Sequence, residues 1–135
     1  MLNTHAKAWI EALRSGNYKQ GRLRLHTVVR DNESRFCCLG VACDLYRNEG
    51  GGEWVTSRCD PSVYSFNRCD FSSTHVLPGE VAAWLGLIST DGVFKSPSKY
   101  ELDTSLMILN DFDKLNFSEI ANVIESQPEG LFNAE

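Results

Sequence analysis

The sequence predicts an α+β fold: about five helices packed around a small antiparallel sheet in a single compact domain. Three observations carry that expectation. Apolar residues recur at helical spacing in several separate stretches, one stretch alternates as a strand does, and no repeat or low-complexity tract divides the chain. With 135 residues, 42% of them hydrophobic, the chain can bury roughly two-thirds of the surface its unfolded form exposes, so it needs neither metal nor disulfide to fold.

Residues 4–15 set Ala6, Trp9, Ile10 and Leu13 on one helical face, with Thr4 as N-cap and Gly16 as the left-handed stop. Residues 22–29 alternate, which places Leu23, Leu25, Thr27 and Val29 on one face of a strand and Arg22, Arg24 and His26 on the other. A turn over Asp31 to Ser34 returns the chain as a short strand at residues 35–37. A second helix runs from about Cys38 to Asn48 and ends at the glycines 50–52, and Trp54-Val55 reads as a further short strand. Residues 57–74 show no sustained period, so 56–76 is expected to be a long irregular loop or lid. Pro78 opens a third helix whose inward residues are Val81, Trp84 and Leu85, and Gly86 closes it. A fourth helix is expected over about 103–110 with Leu106, Met107 and Leu109. A fifth starts at the capping-box pattern Asn116-Phe-Ser-Glu119, carries Ile120, Val123 and Ile124, and ends by Pro128, leaving 128–135 as a frayed tail.

Charge narrows the classes of partner. Residues 1–35 hold seven Lys/Arg and three Asp/Glu, whereas residues 36–135 hold six and fifteen. A basic head on an acidic body does not suit duplex DNA, which requires a broad positive surface, but it suits one compact anionic ligand. No apolar run approaches the roughly 18 residues that a membrane span requires, and the first residues lack a secretory or transit pattern, so a cytoplasmic location is expected. Five cysteines are an odd number without a Cys-x-x-Cys pair, which fits free thiols in a reducing compartment. Cys43, Cys59, Cys69 and His75 can be assembled on paper into four ligands, but structural zinc sites bring their ligands in close pairs, so neither metal nor cofactor is expected.

The ordered blocks Trp9-x3-Leu13-Arg-Ser-Gly-x-Tyr18-x-Gln20-Gly21, Phe36-Cys-Cys-Leu-Gly-Val41-x-Cys43-Asp-Leu45, Leu77-Pro-x2-Val81-x2-Trp84-x-Gly86-Leu87, Leu109-Asn-Asp111 and Phe117-x2-Ile120-Ala121-x2-Ile124-Glu125 resemble a family of small proteins encoded by bacteriophages and prophages, whose members are uncharacterised. The resemblance covers most of the chain outside residues 56–74 and 88–101. It implies a setting in an infected or lysogenic bacterial host and assigns no catalysis.

Cys37 and Cys38 sit where a strand passes into a helix, a junction whose free N–H groups favour anions and thiolates. One reading makes Cys38 the nucleophile of a hydrolase or transferase, with His75 or His26 as base and Asn110, Asp111 or Asp44 as orienter, the arrangement of papain-like enzymes. The other, which we prefer, makes Cys37, Cys38 and Cys43 small apolar residues in a tight joint, with Gly40 admitting a neighbouring backbone. Asn110-Asp111-x-Asp113 opens like a calcium loop but lacks its glycine and its final Glu, so Asn110 and Asp111 are read first as caps or loop ties.

The functional expectation is a non-enzymatic protein that captures an anionic, nucleotide-like molecule, such as a host immune signal. Arg22, Arg24, His26 and Arg35 would supply the charge, while Cys38, Asn110 and Asp111 would lie at the helix start. Tyr18, Trp54, Tyr64 or Phe66 would stack on a base. The alternatives are the Cys38 enzyme with His75 and Asp111, and an inhibitor that binds a host protein. Assembly as a homo-oligomer stays open.

Overall fold

The computed structural model describes residues 2–56, 60–67, 74–96 and 103–133. In chain order the elements are α1 (Thr4–Arg14), β1 (His26–Val29), β2 (Glu33–Phe36), α2 (Cys38–Asn48), β3 (Trp54–Thr56), β4 (Val63–Phe66), α3 (Gly79–Leu85), β5 (Val93–Phe94), β6 (Thr104–Ser105), α4 (Leu106–Asp111) and α5 (Phe117–Glu125). This is the expected α+β architecture of five helices and a small antiparallel sheet.

The main sheet has the order β2-β1-β4-β3, every pair antiparallel. Two hairpins, β1–β2 and β3–β4, thus meet along β1 and β4. The register sets His26 opposite Phe36 on one side and opposite Tyr64 on the other, which aligns three rings in one row across the sheet. Strand β4 lies inside the stretch expected to be irregular. Four residues between a Pro-containing turn and polar sequence give too short an alternation to register. Residues 57–59 and 68–73, with Cys59 and Cys69, lie outside the described residues.

Strand β1 is shorter than the alternation of residues 22–29 predicts. It begins at His26, because Leu23 has φ +70° and turns the chain out of extended geometry. Arg22, Arg24 and His26 therefore do not share a solvent face: Arg22 is exposed, Arg24 is half-buried and His26 is buried at 7% exposure.

Helix α1 buries Ala6, Trp9, Ile10 and Leu13 as expected, but its N-cap is Asn3, whose Oδ1 accepts the Ala6 N–H at 2.8 Å. Arg14 pairs with Glu125 at 3.1 Å and donates to Asn122 at 2.6 Å, which clamps the end of α1 to α5. The capping box at Asn116 and Glu119 forms in full. Trp84 is half-buried, packed against the core on one side and stacked on His5 at a centroid distance of 4.2 Å. The final segment, expected to fray, is fastened over 129–133. Leu131 is fully buried, Ile88 and Lys95 donate backbone N–H groups to the carbonyls of Leu131 and Glu129, and Asn133 N–H bonds the Gly86 carbonyl. Among the described residues no helix is long and apolar enough to cross a membrane.

Candidate functional site

The strand-to-helix junction is closed. Every side chain from Cys38 to Asp44 is buried, so the first half of α2 is surrounded on all sides. A Cβ on Gly40 would overlap the Leu25 carbonyl oxygen, so only glycine lets the helix approach the chain entering β1 this closely. The helix-start amides are occupied. Cys37 Sγ accepts the Gly40 N–H at 3.4 Å, and Asn110 Oδ1 accepts the Cys38 N–H at 3.2 Å.

Burial pushes the Cys37 thiol up to about 12 and the Cys38 and Cys43 thiols well above their ordinary value. Cys38 Sγ donates to the Leu106 carbonyl at 3.6 Å. Burial and the raised pKa favour the protonated thiol, as in cysteines that pack a joint.

Asn110 is fully buried and uses all its hydrogen-bonding capacity. Its Oδ1 takes Cys38 N–H and Gln20 Nε2, and its Nδ2 donates to the Gly21 carbonyl at 2.9 Å and to Asp111 Oδ1 at 2.8 Å. Asp111 Oδ1 also accepts the Leu23 N–H at 2.9 Å. These two residues tie residues 20–23 to α2 and α4, a distant segment rather than the interhelical loop that the sequence suggested. His75 lies half-buried just after the undescribed stretch, next to Thr74.

A pocket with an aromatic wall lies elsewhere. A surface pocket of about 850 Å³ opens between α1, α2 and the sheet, lined among others by Ala12, Tyr18, Lys19, His26, Phe36, Asp44, Arg47 and Trp54. Its wall is aromatic. His26 is stacked between Phe36 and Tyr64 at 4.3 and 4.4 Å and meets Trp54 edge-on at 4.8 Å, while Tyr18 meets Phe36 edge-on at 5.2 Å.

Asp44 fixes that wall. Its Oδ2 accepts the Tyr18 hydroxyl at 2.7 Å, and its Oδ1 accepts Trp54 Nε1 at 3.0 Å and Arg47 Nε at 2.9 Å. Burial raises the carboxyl's pKa, but the bonds from Arg47, Trp54 and Tyr18 together more than offset this, so it lies below the usual carboxylate range. Burial, then the Asp44 bond, pushes the Tyr18 hydroxyl well up, which keeps it a neutral donor. Burial lowers His26 to about 4, leaving the imidazole neutral. Its Nε2 pairs with Ser34 Oγ at 3.0 Å, while its buried Nδ1 has no partner in the structure.

At the rim, Lys19 and Arg35 both bond Glu33. Of the charged and helix-start ligand residues read from sequence, only His26 lines this pocket, together with Tyr18 and Trp54 of the four stacking candidates. Arg22 and Arg24 lie on the segment before β1, Arg35 is paired with Glu33, and Cys38, Asn110 and Asp111 form the closed junction. Arg47 was missed. Asp44 was weighed only as an orienter, although a carboxylate on the apolar face of α2, three residues before an arginine, was the available signal. Among the described residues no three His, Cys, Asp or Glu side chains group as metal ligands.

No curated protein and no solved structure matches the chain. A family model does match over residues 1–128, and the chain belongs to that family, a domain of unknown function designated DUF8296.

Proposed function

We propose that the chain is a small binding protein whose pocket between α1, α2 and the sheet captures a nucleotide-like molecule and releases it unchanged. The observation that carries this reading is the aromatic wall of Tyr18, His26, Phe36 and Trp54, in which one buried carboxylate, Asp44, holds Tyr18 and Trp54 while His26 stacks on Phe36. Fixed rings at a pocket edge suit a planar base, because stacking needs area and orientation but no charge, and side chains already locked lose little entropy on binding.

The anionic part of the ligand would meet Lys19 and Arg47. Each holds one carboxylate of the pocket, Lys19 through one of three ammonium donors and Arg47 through Nε, which leaves further N–H groups for phosphate oxygens. This moves the charge contribution from the strand arginines to the pocket rim. The phage-type order of sequence blocks supports a setting in which the protein holds a host immune signal away from its receptor. The closed junction around Cys38 supports capture over turnover.

The test is to incubate the purified protein with a mixed panel of cyclic dinucleotides and ADP-ribose derivatives, then chromatograph the ultrafiltrate before and after heat denaturation. Capture predicts a compound that disappears and returns intact on heating, with Lys19→Ala and Trp54→Ala each weakening retention at least about tenfold. A compound converted into a new peak, or retention unchanged in both variants, overturns the reading.

A further inference from the structure

Three carboxylates line the pocket between α1, α2 and the sheet, those of Glu11, Glu33 and Asp44. Two of them are engaged. Lys19 and Arg35 donate to Glu33, while Tyr18, Trp54 and Arg47 donate to Asp44. Glu11 makes no hydrogen bond or ion pair with any described residue. The pocket thus keeps one carboxylate in reserve, although its cations, Lys19 and Arg47, each have one to hold.

The α1 wall makes that carboxylate reachable. Ala8, Glu11, Ala12 and Ser15 are spaced i, i+3, i+4 and i+7, so they share one helical face, and all of them line the pocket. Apart from Glu11 these side chains are small, which leaves room beside the wall and makes Glu11 its one long, exposed member.

An unengaged carboxylate in a pocket with an aromatic wall discriminates between planar bases. It is an acceptor only, with two oxygens side by side, and its hydrogen bonds are charge-assisted. Guanine presents a ring N–H and an adjoining amino group on its Watson–Crick edge, two donors that match the two oxygens. Adenine and cytosine place their amino group next to a ring nitrogen that is itself an acceptor, so a carboxylate there meets a lone pair. Uracil sets its one N–H between two carbonyls. Mismatches of this kind discriminate strongly, because the polar group of the site is left without a partner.

Resting on the capture of a nucleotide-like molecule proposed above, we propose that the base this pocket selects is guanine, its Watson–Crick edge read by the Glu11 carboxylate while its rings lie against the aromatic wall. Glu11 is then the specificity residue of the site. Lys19 and Arg47 meet phosphate, which every nucleotide carries, and do not tell one base from another.

Calorimetric titration of the full chain with guanosine, inosine and adenosine monophosphates, and with the guanine and adenine cyclic dinucleotides, tests this. Inosine keeps the ring N–H and lacks the amino group, so affinity should fall in the order guanosine, inosine, adenosine, with at least about tenfold between the first and the last. Glu11→Gln keeps the length of the side chain but sets a donor beside the remaining acceptor, the complement of adenine. It should weaken guanine binding by at least about tenfold without weakening adenine binding. Glu11 is exposed and unpaired, so the melting temperature of the variant should match that of the natural chain. Adenine compounds that bind as tightly as guanine compounds, or a guanine preference that survives Glu11→Gln, overturn this proposal and leave capture standing. Absence of binding by every compound overturns both.

Discussion

Acidification should destabilise this protein through His26 before the paired carboxylates of Asp44, Glu33 and Glu125 lose their charge. The imidazole is 7% exposed, stacked between Phe36 and Tyr64, and its pKa is lowered from 6.5 to about 4 by burial. Asp44 acts in the opposite sense and Arg47 in the same sense. Because the folded pKa lies below the unfolded one, the unfolded chain binds the proton first. The neutral form's stability is complete above about pH 6.5 and is lost as the pH falls toward about 4. A shift of about 2.5 units corresponds to roughly 3 kcal/mol, of which about 2.5 kcal/mol would be lost between about pH 7.5 and pH 4.5. Asp44, Glu33 and Glu125 have pKa values held below the usual carboxylate range, so their own losses fall at lower pH.

Urea unfolding at a series of pH values reads this loss as a shift in midpoint at constant slope. His26→Phe keeps a ring in the stack and removes the titration, so it should flatten the decline across that window. An equal decline in His26→Phe, or no decline in the natural chain, would refute the reasoning.

Other consequences are as sharp. Gly40→Ala drives a methyl into the Leu25 carbonyl and must separate α2 from the entry to β1, so thermal unfolding should show a loss of more than about 3 kcal/mol. Asn110→Ala strands the Cys38 N–H and Gln20 donors and frees the Gly21 carbonyl, at a cost of roughly 3–5 kcal/mol by denaturant titration, with faster hydrogen exchange over residues 20–23. Cys37, Cys38 and Cys43 should resist a thiol reagent in the folded protein and react once it is unfolded. Fast labelling of Cys38 under native conditions would contradict the closed junction.

Much of the fold is legible in the sequence where the signal is local. The glycine at 16, the helix over 38–48 and the capping box at Asn116 and Glu119 each act within one turn of chain, and each forms as the pattern predicts. The sequence misleads where distant groups decide the backbone. The alternation around Leu23 reads as strand, but the Asp111 carboxylate, far along the chain, turns it. Strand β4 becomes central only by pairing with β1 on one side and β3 on the other, and four residues carry no trace of that.

The candidate site follows the same rule. Tyr18 and Trp54 were visible as stacking residues and Asp44 as an odd carboxylate in an apolar run. Their convergence depends on α2 docking against the sheet through Gly40, which no period encodes. Charge is easy to see in sequence, but that Glu33 takes up both Arg35 two residues along its own strand and Lys19 from the segment before β1 depends on the fold.

The most direct test of the central claim follows the three indole N–H resonances in a nitrogen-edited NMR spectrum as a nucleoside monophosphate, a cyclic dinucleotide or ADP-ribose is added. Trp54 Nε1 donates to Asp44 in the pocket wall, Trp9 Nε1 is buried against the Cys38 carbonyl at 2.9 Å, and Trp84 stacks on His5 outside the pocket. The account predicts that at least one of these compounds moves the Trp54 resonance in a saturable way and leaves the other two in place. No movement with any of them, or movement of Trp84 alone, would contradict it.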